Sequence, residues 1–254
     1  MIKWLLSKLP KRKKKDTTQV YTVDDVIPSE PDDRDFLSTV STLPIPKSYE
    51  ITNRPPIRNQ LQLGSCASFS VVRAWEIMLL NSDDRFFEGS ELFHFYEGRK
   101  RQRVFPNNSG MTLRNACHTF LKFGMASEFF HPYNTRDFNA EPYWWTYKVA
   151  EQFKPIQYER LTSIDEIKHS VVEGVPVIFG IWTDSTFQRL NIINSVWRPP
   201  QRGRYGHAMV IVGYNSTGFV VDNSWGPVWG NRGTCIIPYN IFRQYSWDWF
   251  RIIT

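Results

Sequence analysis

Residues 59–76 read NQLQLGSCASFSVVRAWE, and the reading of this stretch decides the fold. From Ser65 to Leu80 a small polar start is followed by Phe69, Val72, Trp75, Ile77 and Met78, an apolar face at helical spacing, so a helix over 65–80 is predicted. Cys66 falls in its first turn, where unpaired backbone N–H groups and the helix dipole stabilise a thiolate. A lone cysteine is ordinarily a small buried hydrophobe. The neighbours of Cys66 argue for more.

Gln60 lies six residues upstream, a spacing that lets its amide fold toward the cysteine and form an oxyanion hole with the Cys66 backbone N–H. His207, in YGHAMVIVGY, follows Cys66 by 141 residues, and Asn223, in VVDNSWG, follows it by 157. Both sit at the ends of short β-branched runs. Two adjacent antiparallel strands would set them side by side, so that Asn223 orients the imidazole while the other ring nitrogen faces sulfur. Further helices are predicted near 90–101, near 113–123 where Gly124 ends the pattern, and over 161–173 with a cap at Thr162 or Ser163. Beyond Gly174 the runs PVIFGIW, HAMVIVGY and GFVVDN read as strands, the last two joined by a hairpin at YNSTGF. Helices precede strands. The order implies an α+β chain with a cleft between a helical half, about 60–160, and a β-rich half, about 161–254.

The 254 residues are 41% hydrophobic, enough for one body with a substantial core and against a disordered chain. The net charge of +6 is unevenly placed: residues 1–15 carry seven Lys or Arg and no acid, and residues 16–36 carry seven acids against Arg34. Residues 1–50 therefore read as a charged, partly extended arm ahead of a body at 51–254. Trp4, Leu5 and Leu6 beside Lys11–Lys15 offer it an acidic partner, nucleic acid or a membrane surface as contact. The apolar stretch precedes the basic cluster, the reverse of a secretory signal, and no run is long enough to span a membrane. Three cysteines do not make a disulfide framework. The expected location is reducing and intracellular, or within a virion.

The stretch around Cys66, the histidine strand GHAMVIVGY and the segment DNSWGPVWGNRGT together resemble papain and the cathepsins, in family order and at family spacing. The resemblance covers about residues 51–254 and most resembles bacterial and phage members. It implies a papain-like fold, with the nucleophile helix packed against an antiparallel sheet or barrel. It also implies a cysteine peptidase acting on protein or peptide, with Cys66 as nucleophile, His207 as acid/base, Asn223 as orienting residue and Gln60 as oxyanion donor. Gly64 and Gly110 would line the substrate cleft, and Trp225 would join them while covering the His207–Asn223 hydrogen bond. Glu76 matches an acidic position of structural character. No metal or cofactor is implied.

Two departures stand out. Leu63 replaces a disulfide cysteine of secreted relatives, and Ala67 replaces a tryptophan, leaving the thiolate less shielded. Gly206, before His207, brings no charge. Cys117 and Cys235 are expected in the core, His94, His118, His131 and His169 on the surface or in packing, and Trp144 and Trp145 in packing. Rival readings are a transpeptidase using the same residues and a papain-like scaffold protein, as in a phage particle.

Overall fold

The computed structural model describes residues 26–32, 35, 37, 44–83, 87–199, 203 and 205–254. The basic cluster of the arm lies outside them. Helix α1 (Cys66–Asp83) carries the stretch that opened the reading. Helix α2 (Glu91–Gln102) is capped by Ser90, whose side chain accepts from Phe93 N at 3.0 Å. Helix α3 (Leu113–Phe123) is capped by Thr112 and ends at Gly124. Both start as the capping rules require, with a side-chain oxygen taking an otherwise unmet N–H. A short α4 (Trp144–Ala150) completes this part.

The other half is a sheet of β1 (Tyr49–Glu50), β2 (Gln157–Arg160), β3 (Val177–Thr183), β4 (Tyr205–Tyr214), β5 (Gly218–Asp222), β6 (Thr234–Pro238) and β7 (Ser246–Ile253). Three helices accompany it, α5 (Ile164–Val172), α6 (Ser185–Gln188) and α7 (Tyr239–Tyr245). At α5 the cap is Ser163, whose Oγ accepts from Glu166 N, and the Glu166 carboxylate reaches back to accept from Thr162 N at 2.6 Å. The strand order is β2-β7-β3-β4-β5-β6, wholly antiparallel, with β1 added beside β4. The sheet is open, which corrects the expectation of a possible barrel. Its two outer strands do not pair with each other; Leu37 bridges to Arg160 on β2 and Val196 to Ile236 on β6, so single bridges cover the edges that closure would have removed.

Strand β4 runs through the middle, buried at every residue but Tyr205. Helix α1 packs on it, and α2 and α3 pack on α1. Strand β7 escaped the reading because SWDWFRII turns charge inward: Arg251 pairs with Glu159 at 2.7 Å and Glu173 at 2.8 Å. Trp144 and Trp145 overturn the expectation of packing, being 71% and 40% exposed. Tyr143 instead stacks on Trp145 with ring centroids 4.6 Å apart.

Buried polar groups help hold the helical half together. None of the three cysteines is in a disulfide and all are buried, and burial raises the thiols of Cys117 and Cys235. Arg99 is fully buried and has no carboxylate partner among the described residues; it donates to the carbonyls of Phe138 and Asn107 and to Asn139 Oδ1, and lies over the rings of Phe95 and Phe138. Its guanidinium, lowered to about 10 by burial, stays charged at neutral pH. His94 ties three helices: Nε2 donates to Ala116 O at 3.0 Å, so Nδ1 accepts from Ser68 Oγ at 2.9 Å.

Burial lowers the His94 pKa to about 4. The unfolded chain takes up this proton near pH 6.5, the fold only near 4, so stability is complete above the first value and lost as pH falls toward the second. The loss at full protonation is on the order of 3 kcal/mol. A melting-temperature series of wild type and His94→Asn between pH 7 and 4 should show a shallower decline for the variant; parallel curves would contradict this.

Candidate active site

The segment before α1 crosses to the β-rich half as an extended strap. Gln60 N donates to Ser224 O at 2.8 Å, Gly226 N donates to Arg58 O at 3.1 Å, and Asn59 bridges to Trp225. Gln60 is fully buried, and its side chain continues the clasp: Oε1 accepts from Ser224 Oγ at 2.5 Å, and Nε2 donates to Leu63 O at 2.9 Å. Below it Tyr133 OH donates to Gln60 O at 2.7 Å and in turn accepts from Ser65 Oγ at 2.7 Å. The turn into Cys66 is thereby fixed from both halves.

His207 lies near the start of the buried run of β4, and Asn223 directly follows β5. His207 Nε2 and Asn223 Oδ1 are 2.7 Å apart. The same oxygen accepts from Ser224 N at 2.7 Å, which settles that oxygen rather than nitrogen faces the ring. Nε2 is therefore the protonated nitrogen of the neutral imidazole, and Nδ1 is the basic one. Trp225 lies against the imidazole at 4.7 Å between centroids, tilted by 31°, and is 2% exposed. Phe187 and Trp229 pack against Trp225, and Trp197 packs against Phe187. Burying one indole contributes roughly 4 kcal/mol against about 1 for a neutral hydrogen bond, so ring packing shapes this wall and hydrogen bonds orient the polar groups in it.

Cys66 starts α1, the helix packed on β4, and is fully buried; His207 is 1% exposed. Ala67 is fully buried too, so the smaller residue does not open the sulfur to solvent. Gly64 and Gly110 meet: Gly64 N donates to Asn108 Oδ1 at 2.8 Å, and a Cβ on Gly64 would lie 3.1 Å from Gly110 N. Leu63 sits in the core. Behind the strap Arg58 contacts Glu76 at 2.6 Å and Glu91 at 2.8 Å. Burial raises the carboxyls of Glu76, Glu91 and Glu128, Glu91 well above the usual range and Glu128 to about 7, while the Arg58 charge opposes it. Among the described residues no three His, Cys, Asp or Glu side chains cluster as a metal site.

Sequence reasoning missed Ser224, Tyr133, Arg73 and Asp222. Asp222 had a signal: an acid ending the apolar run GFVV requires a cation partner once buried. The arm also reaches the site. Asp35 pairs with Arg114 and Arg160; burial alone would raise its carboxyl, and the hydrogen bonds and charges of the two arginines hold it below the usual value. Ser29 N donates to Asp248 Oδ2 at 2.6 Å, and fully buried Val26 lies on Gly206.

The sequence profile described as papain family cysteine protease matches residues 45–246, and the chain belongs to that family. An uncharacterized peptidase C1-like protein of Acanthamoeba polyphaga mimivirus is 27% identical over 88% of this chain and 84% of its own length. A cathepsin L-like proteinase of Fasciola hepatica is 28% identical over 70% of this chain, which spans 54% of that relative. Among solved structures, xylellain, a cysteine protease from Xylella fastidiosa, gives a TM-score of 0.83 at 25% identity and covers 97% of this chain and 99% of its own. Digestive procathepsin L 3 of Tenebrio molitor gives 0.69 at 20% identity over 84% of this chain and 73% of its own, a shared fold. No helix among the described residues is long and apolar enough to cross a membrane.

A Cβ on Gly206 would fall 1.7 Å from Val26 O, so only glycine admits the arm this closely. Gly206→Ala should lift residues 26–32 from the body, seen as faster amide exchange there. Exchange at the wild-type rate would show that the arm tolerates the methyl group.

Proposed function

We propose that the chain hydrolyses peptide bonds with Cys66 as nucleophile, His207 as general acid/base, Asn223 as the residue that orients His207, and Gln60 as an oxyanion donor. The observation that carries the reading is the Asn223 Oδ1 contact, which leaves Nδ1 as the basic nitrogen of His207. Nδ1 takes the proton from Cys66 Sγ, and the sulfur attacks the scissile carbonyl carbon. The Cys66 N–H at the start of α1 and the Gln60 amide hold the oxygen that becomes negative. When the tetrahedral species collapses, the C–N bond breaks and His207 returns the proton to the leaving amine. Water then gives a proton to His207 and attacks the thioester, releasing the carboxylic acid and restoring the thiol.

Gly64 and Gly110, packed backbone to backbone beside Cys66, would form the floor of the cleft for an extended substrate. Trp225, buried against the imidazole, keeps water from the His207–Asn223 hydrogen bond. That bond orients a charge formed during the reaction, so its shielding matters most in the transition state.

Cys66→Ala should abolish hydrolysis of a fluorogenic peptide library and labelling by an epoxide thiol reagent. Asn223→Ala should keep binding and lower kcat by about 10- to 1,000-fold, as expected when an orienting partner is removed from an imidazole. Full peptidase activity in Cys66→Ala would overturn the assignment.

A further inference from the structure

Arg73 is a charged residue on the packed face of α1. It follows Cys66 by seven residues, which places it about 20° from the same azimuth and roughly 10.5 Å down the axis. Between them Phe69 and Ser70 line, with Arg73, Val210, Asp222 and Asn223, a cavity of about 20 Å³ behind the site. The helix stripe that starts at the nucleophile thus runs along the strands that carry the histidine and the asparagine.

The contacts of Arg73 reach two separate pieces of chain outside its own helix. Nε and Nη2 donate to Asp222 Oδ2 at 3.1 and 2.8 Å, and Nη1 donates to the carbonyls of Pro55 and Pro56 at 2.5 and 3.1 Å. The Asp222 side chain is fully buried and that of Arg73 is 12% exposed. Arg54 Nε adds a second cation 3.4 Å from Oδ2. Asp222 immediately precedes Asn223 and pairs across the sheet with Val210 of the histidine strand. Pro55 and Pro56 lead into the strap that ends at Gln60. One guanidinium therefore joins the helix of Cys66, the segment of Gln60 and the strand of Asn223.

Apolar packing between two halves has no preferred register, whereas a planar guanidinium with fixed donor directions does. We infer that Arg73, anchored on Asp222, is a positioning residue for peptide hydrolysis, fixing the separation and register of the two halves that supply the reacting groups. The inference rests on the proposed hydrolytic reading and adds to it two residues that touch neither substrate nor the reacting atoms. A purely stabilising pair would lower the melting temperature and leave turnover by the folded fraction unchanged. A positioning pair changes turnover in the folded enzyme.

The test is steady-state peptide hydrolysis by the full chain and by Arg73→Gln, Arg73→Lys and Asp222→Asn, each assayed at least ten degrees below its own melting transition and normalised to intact folded protein by circular dichroism. Displacements of about an ångström at reacting atoms cost on the order of 100-fold in rate, so Arg73→Gln and Asp222→Asn should lower kcat by about 10- to 100-fold with KM within about twofold. Arg73→Lys, which keeps the charge and loses the fixed donor geometry, should recover only part of the loss. If Arg73→Gln does not fold, the other two variants carry the comparison. Wild-type kcat in folded Asp222→Asn and Arg73→Lys overturns the inference alone. A wild-type chain without Cys66-dependent hydrolysis overturns the hydrolytic reading beneath it, and the inference with it.

Discussion

Asn223 Oδ1 accepts from two directions, from its neighbour's backbone at Ser224 and from the imidazole of His207. The first bond is local and cannot be rearranged without breaking the turn after β5. It therefore imposes the tautomer on the second, and through it decides which histidine nitrogen is basic. Everything chemical in the site follows from that order of constraint, from backbone to amide to imidazole. The surrounding rings of Trp225, Phe187 and Trp229 exclude water and keep the hierarchy intact, because in a low-dielectric pocket a lost hydrogen bond is not replaced by solvent.

Apolar packing of α1 on β4 joins the two halves, and polar contacts at one seam fix their register. The strap at 58–60 lies against 224–226, the Gln60 amide is shared between Ser224 and Leu63, and Arg73 reaches Asp222. Buried pairs of this kind add little net stability over a well-packed apolar substitute, but breaking one partner leaves a charge stranded. Their value is in direction. The helical half shows the same economy: His94 and Arg99 fasten loops and helices that carry no disulfide.

What could be read from the sequence was whatever depends on short windows. The α1 start, a cap at Thr162 or Ser163, the stop at Gly124 and the strands after Gly174 all follow from local periodicity and capping chemistry. The candidate residues Cys66, His207, Asn223 and Gln60 were legible because each sits in a motif of a few residues, and the structure brings Gln60, His207 and Asn223 to one seam below the Cys66 helix. Pairings across 149 residues, such as Arg73 with Asp222, have no local signature. Whether the sheet closes depends on strand number and stagger, which no window contains. Trp144 and Trp145 show the limit of composition: a pair of indoles reads as core, and here it faces outward beside Tyr143.

The central claim is that His207 activates Cys66 for acyl transfer, and trapping the acyl enzyme tests it most directly. Wild type and His207→Ala would be mixed with an activated peptide ester, quenched in acid and followed by intact mass and peptide mapping. The account predicts rapid acylation of wild type, mapped to Cys66 alone, and acylation slower by about 100-fold or more in His207→Ala. Equal rates in the two proteins, or an adduct on another residue, would contradict it.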